Sequence, residues 1–349
     1  MASSNFSSIA PPTLPHSDLI VMVTPFGDPP SVRFSLVGTL FLLFTAAVAG
    51  NALLCFVVCL ERRLRTPMCT FIASLALTDI VQVVSSVPRV MANLLGDDEA
   101  GGGGRSIGRV SMAECTVQMF LIHVSVRAQA FLLALMSVDR YLAVGFPLRY
   151  CSLMTNGIAL RASAAVAASA CALTCPNVAL LVGLDYCRTR VLAAVYCSFY
   201  SLLNFACSDG TANNVYGLVL TTSTVGLSLA AVSFSYASII YECRFRGTSR
   251  DTAASKGHQK AMQTCVTHLL VLAVFYLPVL FLVTYNRVDK YLPIPDAARQ
   301  LLGGLFYLAP PALNPIIYGV RTKEIRKAML RILFCKFGRD SVTPGDEGH

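Results

Sequence analysis

The sequence predicts an all-α membrane protein, a seven-transmembrane helix bundle with a short amphipathic C-terminal helix. Three observations predict it. Of the 349 residues 55% are hydrophobic and only 13% charged, with a mean hydropathy of +0.61, too little charge to cover a soluble surface of this size. The apolar residues form blocks that supply the roughly 20 helical residues needed to cross about 30 Å of hydrocarbon. The remaining charges sit in short runs between those blocks, so the net charge of +9 reads as membrane topology and not as a nucleic-acid surface.

Taken in order, residues 1–32 are rich in Pro and Ser and lack a basic leader region, and they are expected to be a disordered extracellular N-terminus. The transmembrane domain, residues 33–320, holds seven predicted spans: Arg33–Leu60, Met68–Leu95, Met112–Val144, Ile158–Val182, Val215–Tyr241, Ala261–Tyr285 and Ala297–Val320. The first is longer than a signal-peptide core, so a retained span is expected. The run "GDDEAGGGG", Gly96 to Gly104, reads as a flexible linker and not a metal site. After the last span, "RTKEIRKAMLRILFCKF" places Ile325, Met329, Ile332 and Leu333 on one face and basic residues on the other. Residues 321–336 are therefore expected to lie on membrane lipid at the inner surface, with 337–349 a cytoplasmic tail. Cys335 is a candidate for acylation. No internal repeat is found, which argues against a transporter built from paired halves.

With the N-terminus outside, 18 of the 28 basic residues fall on the inner side and 9 on the outer, leaving Arg127 alone within a span. That satisfies the positive-inside rule for a multi-pass plasma-membrane protein. Asn5, in Asn5-Phe6-Ser7, is then an outward-facing glycosylation acceptor. The second outer loop, "CRTRVLAAVYCSFYSLLNFACSD", carries Cys187, Cys197 and Cys207, and a fourth thiol, Cys115, opens span three. An oxidising exterior allows two bridges. Four cysteines permit three pairings, and the sequence alone does not choose among them. The nine-residue gaps and the lack of histidine in the loop do not match zinc. No metal or cofactor is expected.

Four motifs sit in the spans where they would act: Gly50-Asn51, "LALTD" ending at Asp79, Asp139-Arg140-Tyr141, and "NPIIY" from Asn314 to Tyr318. Together they resemble the rhodopsin-like (class A) G-protein-coupled receptors. Further stretches narrow the resemblance to the olfactory receptors: "MSVDRYLAVGFPLRY", "SYASII" from Ser235, "KAMQTCVTHL" from Lys260, and "ACSD" from Ala206. The resemblance implies a receptor that binds a small odorant in the outer half of the bundle and activates a stimulatory heterotrimeric G protein, raising cyclic AMP. The alternative is a non-olfactory class A receptor for a small metabolite or peptide. It also implies the bridges Cys115–Cys197 and Cys187–Cys207. An enzyme is not expected, since Cys265 and His268 belong to the span-six signature. Three departures mark a divergent member and point to an aquatic lineage: Pro278 in "FYLP", Gln129 where many members carry Glu, and Tyr276 where most class A receptors carry Trp.

Asp79 is costly within a span unless it is partnered, and the resemblance assigns Asn51 and Asn314 as its partners in an activation switch. Such clusters often hold sodium; Gln129 removes one charge from this one and weakens any sodium site. Arg140 is expected to be held by Asp139 at rest and to meet the G protein when active. Tyr236 and Tyr318 would stabilise the active arrangement, next to Pro315, with Pro278 as a pivot. Helical spacing puts Ile122, Val126, Gln129, Leu133, Met136 and Arg140 on one inward stripe of span three, with His123 and Arg127 beside it. A membrane histidine is more often a packing residue, whereas Arg127 keeps its charge and is expected to face a polar pocket for an anionic or acceptor-rich odorant. Ile122 stands where amine receptors carry Asp, which disfavours amines. Thr224, Tyr276, Val279 and Tyr307 join the expected pocket by family position, and Cys197 would hold the loop over it as a lid.

Overall fold

The computed structural model describes residues 19–23, 30–96, 107–186, 191–192, 196–203, 205–245, 265–281, 284 and 296–333. Among the described residues five helices are long and apolar enough to cross a membrane: α1 (Pro30–Leu60), α2 (Pro67–Leu95), α3 (Met112–Gly145), α5 (Asn156–Val182) and α7 (Thr211–Phe245). Short helices α4 (Tyr150–Leu153) and α6 (Phe199–Leu203) lie in the connections. α8 (Cys265–Phe281) is the described part of the sixth span, α9 (Asp296–Arg321) the seventh, and α10 (Lys323–Leu333) the amphipathic helix. Six of the seven predicted spans coincide with described helices, and the described part of the sixth is helical as well.

Polar caps set the helix starts. Ahead of Pro67, the Thr66 hydroxyl accepts from the Cys69 amide at 3.3 Å, and Thr155 does the same for Ile158 at 3.3 Å. At α3, Ser111 accepts from the Glu114 amide at 3.1 Å while the Glu114 carboxylate accepts from the Ser111 amide at 3.0 Å. Each cap satisfies donors that a first helical turn leaves open. α3 is central, packing on α2, α5 and α7, while α1 packs on α2 and α9. Phe34, Phe41, Leu42 and Phe56 of α1 stay exposed, as an apolar solvent allows.

At one end of the bundle a three-stranded sheet departs from the all-helical expectation. β1 (Leu19–Val23) lies between β2 (Ile107–Ser111), antiparallel, and β3 (Val191–Leu192), parallel. The expected disorder through residue 32 therefore fails for Leu19–Val23, and α1 begins at Pro30 and not at Arg33. The reason is burial: Ile20 and Met22 are fully enclosed with Val110, Cys115, Cys197, Phe199 and Leu202. Each large apolar side chain contributes about 1.5–3 kcal/mol, which offsets the cost of ordering a short strand. At the opposite end α10 docks on α1 and α9. Ile325 is wholly buried, and Arg331 pairs with Glu61 at 3.0 Å, so α10 packs on the bundle through part of its apolar face.

Candidate functional site

α9 carries Pro310, Pro311 and Pro315. Proline has no N–H, so each one strips the donor from the carbonyl four residues earlier. Side-chain amides fill two of these gaps. Asn51 donates to the Pro311 carbonyl at 2.8 Å, the group that Pro315 leaves open, and Gln82 donates to the Tyr307 carbonyl at 2.8 Å, the group that Pro311 leaves open. Gly50 completes the fit, since a Cβ there would stand 2.8 Å from Cβ of Pro315. Asn51 was expected to partner Asp79. It does not, because its second amide hydrogen goes to the Ala47 carbonyl at 2.9 Å.

Asp79, fully buried, accepts from Gln129 on one oxygen and from Asn314 on the other, both at 2.8 Å. The carboxylate thereby joins α2, α3 and α9, with partners of the kind a buried charge requires. The amide oxygens of Asn51, Gln129 and Asn314 are buried with no partner among the described residues. Sodium would have these neutral oxygens and one carboxylate to draw on, a donor set of the right type with a single negative charge.

At the α10 end, Arg140 pairs with Asp139 at 2.6 Å, and the Tyr150 hydroxyl of α4 donates to the other Asp139 oxygen at 2.8 Å. Burial, then the Asp139 carboxylate beside it, pushes the Tyr150 phenol above its ordinary range, so it stays a donor. Tyr141 packs edge-on against Phe146 and Phe234. The Tyr236 hydroxyl lies 3.2 Å from the Cys265 carbonyl and 3.0 Å from Nδ1 of His268, tying α7 to α8. The Tyr318 hydroxyl is buried with no hydrogen-bond partner among the described residues. Pro278 lies within α8, close to the described end of that helix.

The expected ligand residues divide. Ile122 is buried, as are Gln129, Leu133 and Met136 further along the same inward stripe of α3, and Val126 packs into the same core as Tyr276, Val279 and Tyr307. Thr224 is buried and its hydroxyl donates to the Leu220 carbonyl at 2.7 Å. Arg127 was expected beside this stripe and facing a polar pocket. Its guanidinium turns toward α5, donating to the Thr174 hydroxyl at 2.9 Å, and also bonds the His123 carbonyl of α3 at 3.3 Å. His123 itself bonds the Met119 carbonyl through Nδ1 at 2.8 Å, as a packing histidine does.

Sequence reasoning missed Gln82, Tyr150, Asn177 and Asn213. Asn177 lies one turn from Thr174 on the buried stripe of α5, and Asn213 is buried on α7. Arg127 Nε, Asn177 Oδ1 and Asn213 Nδ2 are buried without partners among the described residues. The available signal was a lone amide, Asn177, in apolar span four; Asn213 falls just ahead of predicted span five. A groove of about 610 Å³ between α3, α5 and α7, lined by Phe131, Leu135, Ala162, Leu173 and Leu227 among others, contains none of the expected ligand residues.

Cys115 and Cys197 are bonded, with Cα atoms 5.4 Å apart. The Cys197 amide donates to Gln118 at 3.1 Å, and the neighbouring Tyr196 ring meets Tyr307 edge-on at 4.9 Å. Cys207 is disulfide-bonded and its amide donates to the Asp185 carbonyl at 2.8 Å. Its implied partner Cys187 lies outside the described residues, as do Asn5 and Cys335.

Residues 40–336 match the family model described as olfactory receptor. Human olfactory receptor 52D1 is 32% identical over 86% of this chain and 89% of its own length. Human olfactory receptor 52P1 is 33% identical over 83% and 85%, and human olfactory receptor 51E1 32% over 86% and 89%. A bundle of seven spans, a buried carboxylate joining three of them, an arginine paired at the end of the central helix, and a match over most of the length lead to one conclusion: the chain belongs to the olfactory receptor family, multi-pass membrane receptors for odorants that couple to G proteins and are not enzymes.

Proposed function

We propose that this receptor takes anionic or acceptor-rich odorants through Arg127, in the half of the bundle nearer the sheet, and activates a stimulatory olfactory-type G protein that raises cyclic AMP. The sheet end faces the outside of a sensory cell, in its cilia, and α10 faces the cytoplasm. The observation that carries the ligand class is the Arg127 environment. Arg127 is 4% exposed, its guanidinium's partners are neutral oxygens, and among the described residues no carboxylate pairs with it. A buried charge without a counter-charge is several kcal/mol out of balance, and an anion restores the balance. The orientation is supported by the Cys115–Cys197 bridge at the sheet end, which suits an oxidising compartment, and by the basic residues of α10. The Asp139–Arg140 pair supports G-protein coupling at the α10 end.

The test is a cyclic AMP assay in cells bearing the receptor, run with carboxylic acids, sulfates, alcohols and esters of matched chain length. Arg127→Gln should lower potency for the acids and sulfates by about tenfold or more, the worth of one strong charge-assisted contact, and leave the alcohols near their original potency. Equal loss for neutral and anionic odorants overturns the ligand class. A response that lowers cyclic AMP overturns the coupling.

A further inference from the structure

Gln82 has no part in the ligand site or the ion pair, yet it holds an unusual position. It is 1% exposed on α2 and spends its amide on a backbone carbonyl of another helix. That carbonyl, of Tyr307, is open because Pro311 has no N–H to give it. Within a bilayer no water is at hand to serve it, so a side chain must.

What Gln82 holds is also connected in two directions. Toward the sheet, the Tyr307 ring lies 4.9 Å from Tyr196 in an edge contact. One turn further along α9, Gly303 leaves room for the Tyr196 hydroxyl, which would stand 3.1 Å from a Cβ there. Tyr196 directly precedes Cys197, whose sulfur is fixed to Cys115 of α3, so the loop rests on α9 at these two residues. Toward the middle of the bundle, Asp79 lies one turn before Gln82 on the buried face of α2. Asp79 binds Asn314, about two turns beyond Tyr307. α2 therefore grips α9 twice, once through Gln82 and once through Asp79.

We propose that Gln82 is a positioning residue: by closing the gap that Pro311 opens at Tyr307, it fixes α9 beneath the disulfide-anchored loop and ties that contact to the Asp79 cluster. The inference goes beyond the odorant reading, and its test needs neither ligand nor G protein.

The chain contains no tryptophan, so Tyr196→Trp installs a sole fluorophore at the contact. In purified receptor carrying that change, emission maximum and quenching by acrylamide are measured with and without Gln82→Met, which keeps length and bulk but removes the N–H. Losing one net hydrogen bond shifts the balance between held and released α9 by about fivefold, so emission should move to the red and quenching should rise. Pro311→Ala returns a backbone N–H to the Tyr307 carbonyl. In that background Gln82→Met should leave the emission where Pro311→Ala alone sets it. An unchanged emission with Gln82→Met, or the same change with and without Pro311→Ala, overturns the proposal. If Gln82→Met alone does not fold, recovery of a cooperative thermal transition in Gln82→Met/Pro311→Ala supports it, and failure to recover overturns it.

Discussion

Asp139 has both carboxylate oxygens engaged, one by Arg140 at 2.6 Å and one by Tyr150 at 2.8 Å. The arginine is thus held by a carboxylate that is itself held in place. Tyr150→Phe removes one of the two restraints while leaving the ring, so ligand-independent cyclic AMP should rise by up to about tenfold, as loss of a charge-assisted bond biases a two-state element. Unchanged basal signal at equal surface delivery would show that Tyr150 restrains nothing. Arg140→Ala should abolish signalling with surface delivery retained. Asp139 and Arg140 were legible as a motif, because adjacent residues need no tertiary information to be seen together. Tyr150, 11 residues from Asp139, was not, since the turn between α3 and α4 has to form before the two meet. Arg127 shows the same limit: its charge and depth were legible, while its direction, toward Thr174, depended on where α5 would stand.

At the scale of elements, the helices were legible because hydropathy acts locally: the predicted starts Met68, Met112 and Ile158 fall within about three residues of the caps Thr66, Ser111 and Thr155. β1 was not legible. The run LIVMV is a local strand signal, but it sits in a Pro- and Ser-rich stretch and its partners come from residues 107–111 and 191–192, so its pairing and burial are not local information. The contact between α1 and α9 lies between these cases, for Gly50 and Pro315 were each noticed and their mutual fit was not. Gly50→Ala would press a methyl to 2.8 Å from a rigid proline ring. The ring cannot yield, so α1 and α9 should part, with a loss of about 1–3 kcal/mol. Thermal unfolding in detergent reads this directly, and a midpoint equal to that of the unchanged receptor would mean that the helices separate without cost.

Across the whole molecule, α3 forms the axis and the two ends differ in kind: a sheet with a disulfide at one, a paired arginine and the docked α10 at the other. An odd number of spans puts the termini on opposite faces of the bilayer. An epitope tag at the N-terminus should bind antibody on intact cells, and one at the C-terminus only after permeabilisation; labelling of both on intact cells would remove the basis for the orientation proposed. The prolines of α9 carry one more implication, for biogenesis. That helix leaves the ribosome last among the spans, and two of its backbone gaps are filled by Asn51 and Gln82, from the first two spans to be made. Insertion order and chemical dependence therefore run the same way, and a nascent chain deprived of its early helices would present the translocon with a final segment poorly suited to remain in lipid.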